Sequence, residues 1–314
     1  MSPKAHHSRP AGAAWAVSPL PISLAAARLR HQLIAFATAA LALLGSQIPA
    51  ALARAPCSAP AELSQSGEPL YVLRTAVDAG TGIRIVALGS SSTRGAGASK
   101  PEFTYPSQLA KALRRVPGRY TPVRVFNRGI GGELATDMLA RLQRDVLALR
   151  PHLVVWQTGV NDAIRGVAPA EFRSSLSRGI EMIRAAGIDV ILLDMQYYPG
   201  SGEVPGYQGY ANAMRSVARQ HHVSMLSRYA FMRYQIEQAH FAPEQLLAPD
   251  LFHLNDLSYR CLGNLVADSI VSGLQRATER TLIAEIAGGD FETVRKEMAA
   301  QHGSRRRPPE GIAP

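Results

Sequence analysis

Five short apolar runs, most followed by a stretch of helical periodicity, constrain the fold of this chain more than any other feature. The runs are Ile83–Leu88, Val123–Phe126, Leu153–Trp156, Val190–Leu193 and Val223–Leu226. They are rich in β-branched residues, and several are apolar at every position, as strands buried on both faces of a parallel sheet are. Pro106 opens a helix that runs to about Arg115. Leu134–Leu149 places Leu134, Met138, Leu139, Leu142, Val146 and Leu149 on one stripe and predicts a second helix. A third begins at Pro169 and ends near Gly187, and two more span about 208–221 and 258–276. This alternation predicts an α/β domain with a parallel sheet covered on both sides. No internal repeat or proline-rich linker divides residues 70–275, so one domain is expected there.

A length of 314 residues sets a prior of about two domains. The ends reduce it. Residues 1–32 hold Lys4, Arg9, Arg28 and Arg30 and no acid; an apolar run, Leu33–Gly45, follows, and then Ala51-Leu52-Ala53. A run of about 13 residues is short of the ~20 that span a bilayer. Basic, apolar and small-residue regions in this order predict an export signal over residues 1–53 with cleavage after Ala53. Its removal lowers the formal charge from +10 to +6. Three further positives, Arg305–Arg307, sit before Pro308-Pro309 in a tail without apolar periodicity. Residues 54–276 form the expected domain, and 277–314 are read as an extra helix, Leu282–Ala300, and a basic tail. Aromatics make up 6% of the chain and do not alternate with basic residues. The basic balance therefore reflects targeting and tail, and no nucleic-acid partner is expected. No stable membrane span is expected after signal cleavage, and localisation is expected to be periplasmic or extracellular. An oxidising compartment lets Cys57 and Cys261 pair, with two buried thiols as the alternative. Closing a loop of about 200 residues would contribute roughly 5 kcal/mol in the chain-entropy account.

In open parallel sheets the site lies beyond the C-terminal ends of the strands. Four segments qualify: Gly89-Ser90-Ser91-Ser92-Thr93-Arg94-Gly95, Asn127-Arg128-Gly129-Ile130-Gly131-Gly132, Gln157-Thr158-Gly159-Val160-Asn161-Asp162, and Asp250-Leu251-Phe252-His253. The first has neither phosphate-loop spacing nor the G-x-S-x-G of a nucleophile elbow. Taken together, the four hold the parts that acyl transfer needs. These are a hydroxyl nucleophile, an imidazole base, a carboxylate to orient it, and N–H donors for an oxyanion.

The four segments resemble, in order, the four blocks of the SGNH (GDSL-type) hydrolase family. GSSSTRG is similar to the first block, NRGIGG to the glycine block, GVND to the G-x-N-D block and DLFH to the D-x-x-H block. The resemblance implies a flavodoxin-like α/β/α sandwich with a five-stranded parallel sheet. It also implies esterase, lipase or carbohydrate-deacetylase activity with no metal or other cofactor, on a small-molecule or glycan ester. Carried over by residue, it implies Ser91 as nucleophile, His253 as general base and Asp250 as its orienting carboxylate. The oxyanion hole would be the N–H groups of Ser91 and Gly132 and Nδ2 of Asn161. The chain departs from the family at Ser90, where an Asp usually stands, and this leaves the hydrogen-bond support of the nucleophile turn unassigned. The GSSST form resembles a group of exported bacterial SGNH proteins. Two alternatives to hydrolysis stay open at this point: O-acyl transfer to an envelope glycan, and a catalytically silent glycan-binding scaffold.

Other residues carry plainer expectations. Asp162 is expected to brace its loop and Trp156 to lie in the core. His221-His222 is expected to end a helix, where a cation suits the dipole. Tyr197-Tyr198-Pro199-Gly200-Ser201-Gly202 reads as a mobile rim loop with aromatics placed to contact a sugar or acyl chain.

Overall fold

The computed structural model of the chain describes residues 57–58, 60–63, 67–115 and 122–286. The expected export signal and the C-terminal tail lie outside them. The elements in chain order are α1 (Tyr71–Asp78), β1 (Ile83–Gly89), α2 (Ser91–Arg94), α3 (Tyr105–Leu113), β2 (Val123–Gly129), α4 (Ala135–Ala140), α5 (Leu142–Asp145) and β3 (Leu153–Gln157). They continue with α6 (Val160–Ile164), α7 (Pro169–Ala185), β4 (Asp189–Leu193), α8 (Tyr207–Gln220), β5 (Ser224–Leu226), α9 (Arg228–Glu237), α10 (Pro243–Leu246) and α11 (Asp256–Ile286).

The five strands form one sheet in the order β2-β1-β3-β4-β5, and every pairing is parallel. This is the flavodoxin-like order with its switch point between β1 and β3. Every residue of β3 is buried, and in β1 all but Arg84, whereas β2 is half exposed along its length because it forms an edge. Helices α1, α3 and α11 pack together on one face, and α4, α7 and α8 cover the other. Two glycines set how closely these layers approach. A side-chain carbon on Gly179 of α7 would lie 2.3 Å from the ring of Trp156, and one on Gly263 of α11 would lie 2.6 Å from Cβ of Gln108 on α3. Trp156 is fully buried in the core.

Several elements differ from the sequence expectation, among them α9, which was not expected. The helix expected over 134–149 is two short helices and a 3-10 turn, Leu147–Leu149. The first break falls at Arg141, whose backbone (φ −99°, ψ 2°) leaves helical geometry. Its guanidinium turns inward to Glu133 at 2.6 Å, to Asp145 at 3.1 Å and to the carbonyl of Arg128 at 2.9 Å. The apolar stripe is right, but a buried ion cluster overrides the helix. The last helix runs on to Ile286, not to about 276, and so occupies part of what was read as a separate tail helix. No glycine or proline follows Gly273 until Gly288-Gly289, and Thr278 and Thr281 return their hydroxyls to the carbonyls of Leu274 and Ala277. Helix α1 was not anticipated. Its N-terminus is capped from far away in sequence, by Asp189 accepting from the N–H of Leu73 at 2.9 Å.

Sulfur atoms of Cys57 and Cys261 are bonded, 2.10 Å apart, across a separation of 204 residues. The bond ties the start of the described chain to α11.

Candidate active site

Ser91 is the first residue of α2, directly after β1, so the strand end delivers it to the C-terminal edge of the sheet. His253 and Asp250 lie on the loop between α10 and α11, and an isolated bridge, Leu247 with Leu254, closes this loop on itself. The three side chains form one chain of hydrogen bonds. Asp250 Oδ2 is 2.6 Å from His253 Nδ1, and His253 Nε2 is 2.9 Å from Ser91 Oγ. An ionised carboxylate only accepts, so Nδ1 carries the proton of a neutral ring and Nε2 accepts from the serine hydroxyl. Burial raises the Asp250 pKa, but the bonds from the His253 ring and from the N–H groups of His253 and Phe252 outweigh it and hold the carboxyl below its ordinary value. The carboxylate form that orients the ring is thereby favoured. Leu251, between the two, has a positive φ of 51°.

The turn under Ser91 is held by Gln157, which closes β3. Its Oε1 accepts from the N–H of Ser90 at 3.1 Å, from Ser90 Oγ at 3.3 Å and from Thr93 Oγ1 at 3.0 Å. The Ser90 N–H can only donate, which fixes which end of the amide faces it. Gln157 therefore supplies the support that the absent acid at position 90 left unassigned. A second glutamine joins this turn to the histidine loop. Gln196 Oε1 accepts from Ser92 Oγ at 3.1 Å, and its Nε2 donates to the carbonyl of Phe252 at 2.8 Å.

The glycine block turns past β2 with Gly132 at φ +80°, a conformation open to glycine at little cost. No hydrogen bond among the described residues uses the Gly132 N–H. Asn161, in α6, donates one amide hydrogen to the carbonyl of Glu133 at 2.8 Å, which ties it to the glycine block and leaves a second hydrogen on Nδ2. Asp162 is buried and accepts from the N–H of Ala135 at 3.1 Å, so it braces this loop as expected. Its burial raises its pKa against those bonds.

Two expectations change here. Tyr198 is not on a rim. It is buried, edge-on to Phe252 at 4.9 Å and to Tyr207 at 5.8 Å, so it packs beneath the histidine loop. Tyr197 is half-buried and meets Tyr229 edge-on at 5.4 Å. His221 does end α8, but burial lowers its pKa and favours the neutral ring over a cation. Gln157, Gln196 and Arg141 were not singled out in sequence. Only position tells in the case of Gln157, a polar residue at the end of an apolar run.

Sequence comparison agrees with this architecture. The profile of the non-GDSL lipase-like family matches residues 56–276. The chain belongs to that family. The match spans all five strands and all four blocks. The chain is 32% identical over 119 residues to Esterase TesA of Pseudomonas aeruginosa, and 32% identical over 121 residues to an arylesterase of Vibrio mimicus. Each match covers 38% of the chain and 58% of the relative's length. Among solved structures, an acetyl-xylooligosaccharide esterase from Geobacillus is similar with a TM-score of 0.52 at 20% identity, over 60% of this chain and 94% of that one. The crystal structure of TesA is similar with a TM-score of 0.51 at 24% identity, over 62% and 99%. At these identities the structural likenesses bear on the fold.

Proposed function

We propose that the chain is an exported serine esterase that cleaves carboxylic esters through an acyl-enzyme. The observation that carries this reading is the hydrogen-bond chain from Asp250 through His253 to Ser91. In the proposed reaction His253 Nε2 takes the hydroxyl proton as Ser91 Oγ attacks the ester carbonyl. The carbonyl oxygen becomes an oxyanion, received by the N–H groups of Ser91 and Gly132 and by Nδ2 of Asn161. The tetrahedral adduct collapses, and His253 returns the proton to the leaving alcohol. Water repeats the sequence, releasing the acid and restoring Ser91. Each oxyanion donor is worth about 3 kcal/mol, or ~10²–10³ in rate.

Export is supported by the order of basic, apolar and small residues over 1–53 and by the bonded cysteines, which suit an oxidising compartment. Ester chemistry is supported by the names of the two relatives. O-acyl groups on glycans are the finer substrate reading, and a panel of acetylated glycans beside short and long aryl esters ranks them. The decisive experiment uses Ser91→Ala. Hydrolysis of a short aryl ester and labelling by a fluorophosphonate are both expected to disappear, with an unchanged melting temperature. Undiminished turnover in this variant overturns the assignment.

A further inference from the structure

Among the described residues, two cations stand without partners beside the glycine block of this site. A side-chain carbon on Gly131 would meet the guanidinium carbon of Arg94 at 3.5 Å, and one on Gly132 would meet Nη2 of Arg165 at 3.4 Å. The two guanidinium groups therefore lie over consecutive glycines, the second being the residue whose N–H is the proposed oxyanion donor. They reach this loop from two other blocks. Arg94 ends α2, which begins with Ser91, and Arg165 follows α6, which holds Asn161. Both residues are exposed, and neither side chain has a hydrogen bond or an ion pair among the described residues.

The acids of the same loops are already engaged. Glu133 is held by Arg141 at 2.6 Å, Asp137 accepts from the N–H of Leu134 at 2.9 Å, and Asp162 is buried against Ala135. Asp250 is bound to His253. Two guanidinium groups thus contribute a positive potential beside the reacting carbonyl, and among the described residues neither is paired with a carboxylate. A cleft of one sign concentrates ligands of the other, and a guanidinium matches carboxylate and phosphate in a two-pronged geometry.

Resting on the esterase reading above, we propose that Arg94 and Arg165 select esters that carry a negative charge, as a carboxylate or a phosphate, near the scissile bond. They bind the charged group of the substrate and so act on the choice among esters. A general aid to the oxyanion is a different role with a different signature, because every ester forms the same oxyanion.

Matched pairs separate the two. One pair is the 4-nitrophenyl monoester of adipic acid and 4-nitrophenyl hexanoate, with the charge on the acyl side. The other is an acetyl ester of glycerol 3-phosphate and the same ester of glycerol, with the charge on the alcohol side. The wild-type enzyme is expected to favour the anionic member of at least one pair by about tenfold in kcat/KM, chiefly through KM. The preference should shrink severalfold as salt rises from 0.05 to 0.5 M (about) because the charges are exposed. Arg94→Gln with Arg165→Gln is expected to remove most of the preference, Arg165→Glu to invert it, and Arg165→Lys to keep part of it. Equal losses on both members of a pair overturn the proposal in favour of an oxyanion role. Hydrolysis of the neutral members, lost in Ser91→Ala, without any preference for the anionic ones overturns the proposal and leaves the esterase reading standing. Failure to hydrolyse any of the four overturns both.

Discussion

Replacing Gly129 with alanine probes how tightly the nucleophile turn is seated. Gly129 closes β2, opposite Gly89 in the parallel register, and its φ is not positive. An alanine therefore suits the backbone, and the only objection is contact. The new carbon would lie 2.1 Å from the backbone nitrogen of Arg94, 2.6 Å from the carbonyl carbon of Thr93 and 2.7 Å from Cα of Arg94. These are backbone atoms of α2, the helix that begins with Ser91, and they cannot rotate aside. To reach ordinary contact the turn must retreat by roughly 1.3 Å, which is more than the ~1 Å displacement that costs on the order of 10²-fold in rate. Overpacking of this kind costs about 1–3 kcal/mol, or a melting temperature lower by about 3–10 °C for a domain of this size. Gly129→Ala is expected to show both changes: kcat/KM on a short aryl ester down about a hundredfold and a slower reaction with fluorophosphonate. Gly131→Ala is the control, because its new carbon meets only the far end of the Arg94 side chain, at 3.5 Å or more. It should keep the wild-type melting temperature. A Gly129→Ala enzyme with wild-type kcat/KM and melting temperature would refute the close seating of the turn.

Gln196→Leu cuts both bonds of the glutamine bridge between the nucleophile turn and the histidine loop, and kcat should fall tenfold or more with KM nearly kept; an unchanged kcat refutes the coupling. Asp194 is fully buried, and burial pushes its pKa up to about 6 against the bonds from Tyr229 N–H and Ser227 and the charge of Arg228. A pKa raised in the folded state gives stability that is complete below the unfolded value of 3.8 and lost as pH rises through about 6, so this group removes roughly 3 kcal/mol between pH 4 and 7. Asp194→Asn should flatten that part of the pH dependence of the urea midpoint, and parallel curves for the two proteins count against it. Removing the Cys57–Cys261 bond should cost about 2–5 kcal/mol, read as a lower melting temperature on reduction. Two thiols titrating in the unfolded, unreduced protein would disprove the bond.

How far the sequence can be read follows from what each feature depends on. The strands were legible because their signal is local: Leu153–Gln157 is buried at every position, and its apolar run says so. Three of the four blocks were legible because each sits where a parallel strand ends, the fourth lies just before the last helix, and Ser91, His253 and Asp250 meet as their types require. The helix over 134–149 was misjudged because its stripe is genuine, while the break depends on Glu133 and Asp145 closing on Arg141. Tyr198 looked like a rim residue because aromatic-Pro-Gly reads as a surface loop; only the aromatic stack with Phe252 and Tyr207 shows it to be buried. Gln157 and Gln196 act across 67 and 104 residues of separation, and no local pattern marks such contacts.

The amide of Gln157 has one more consequence. A carboxylic acid in its place would change its bonding as it took up or gave off a proton. An amide does neither between strong acid and strong alkali. The three bonds that seat the nucleophile turn are therefore deaf to pH. A loss of activity in acid would therefore have to arise elsewhere than in the titration of this seat.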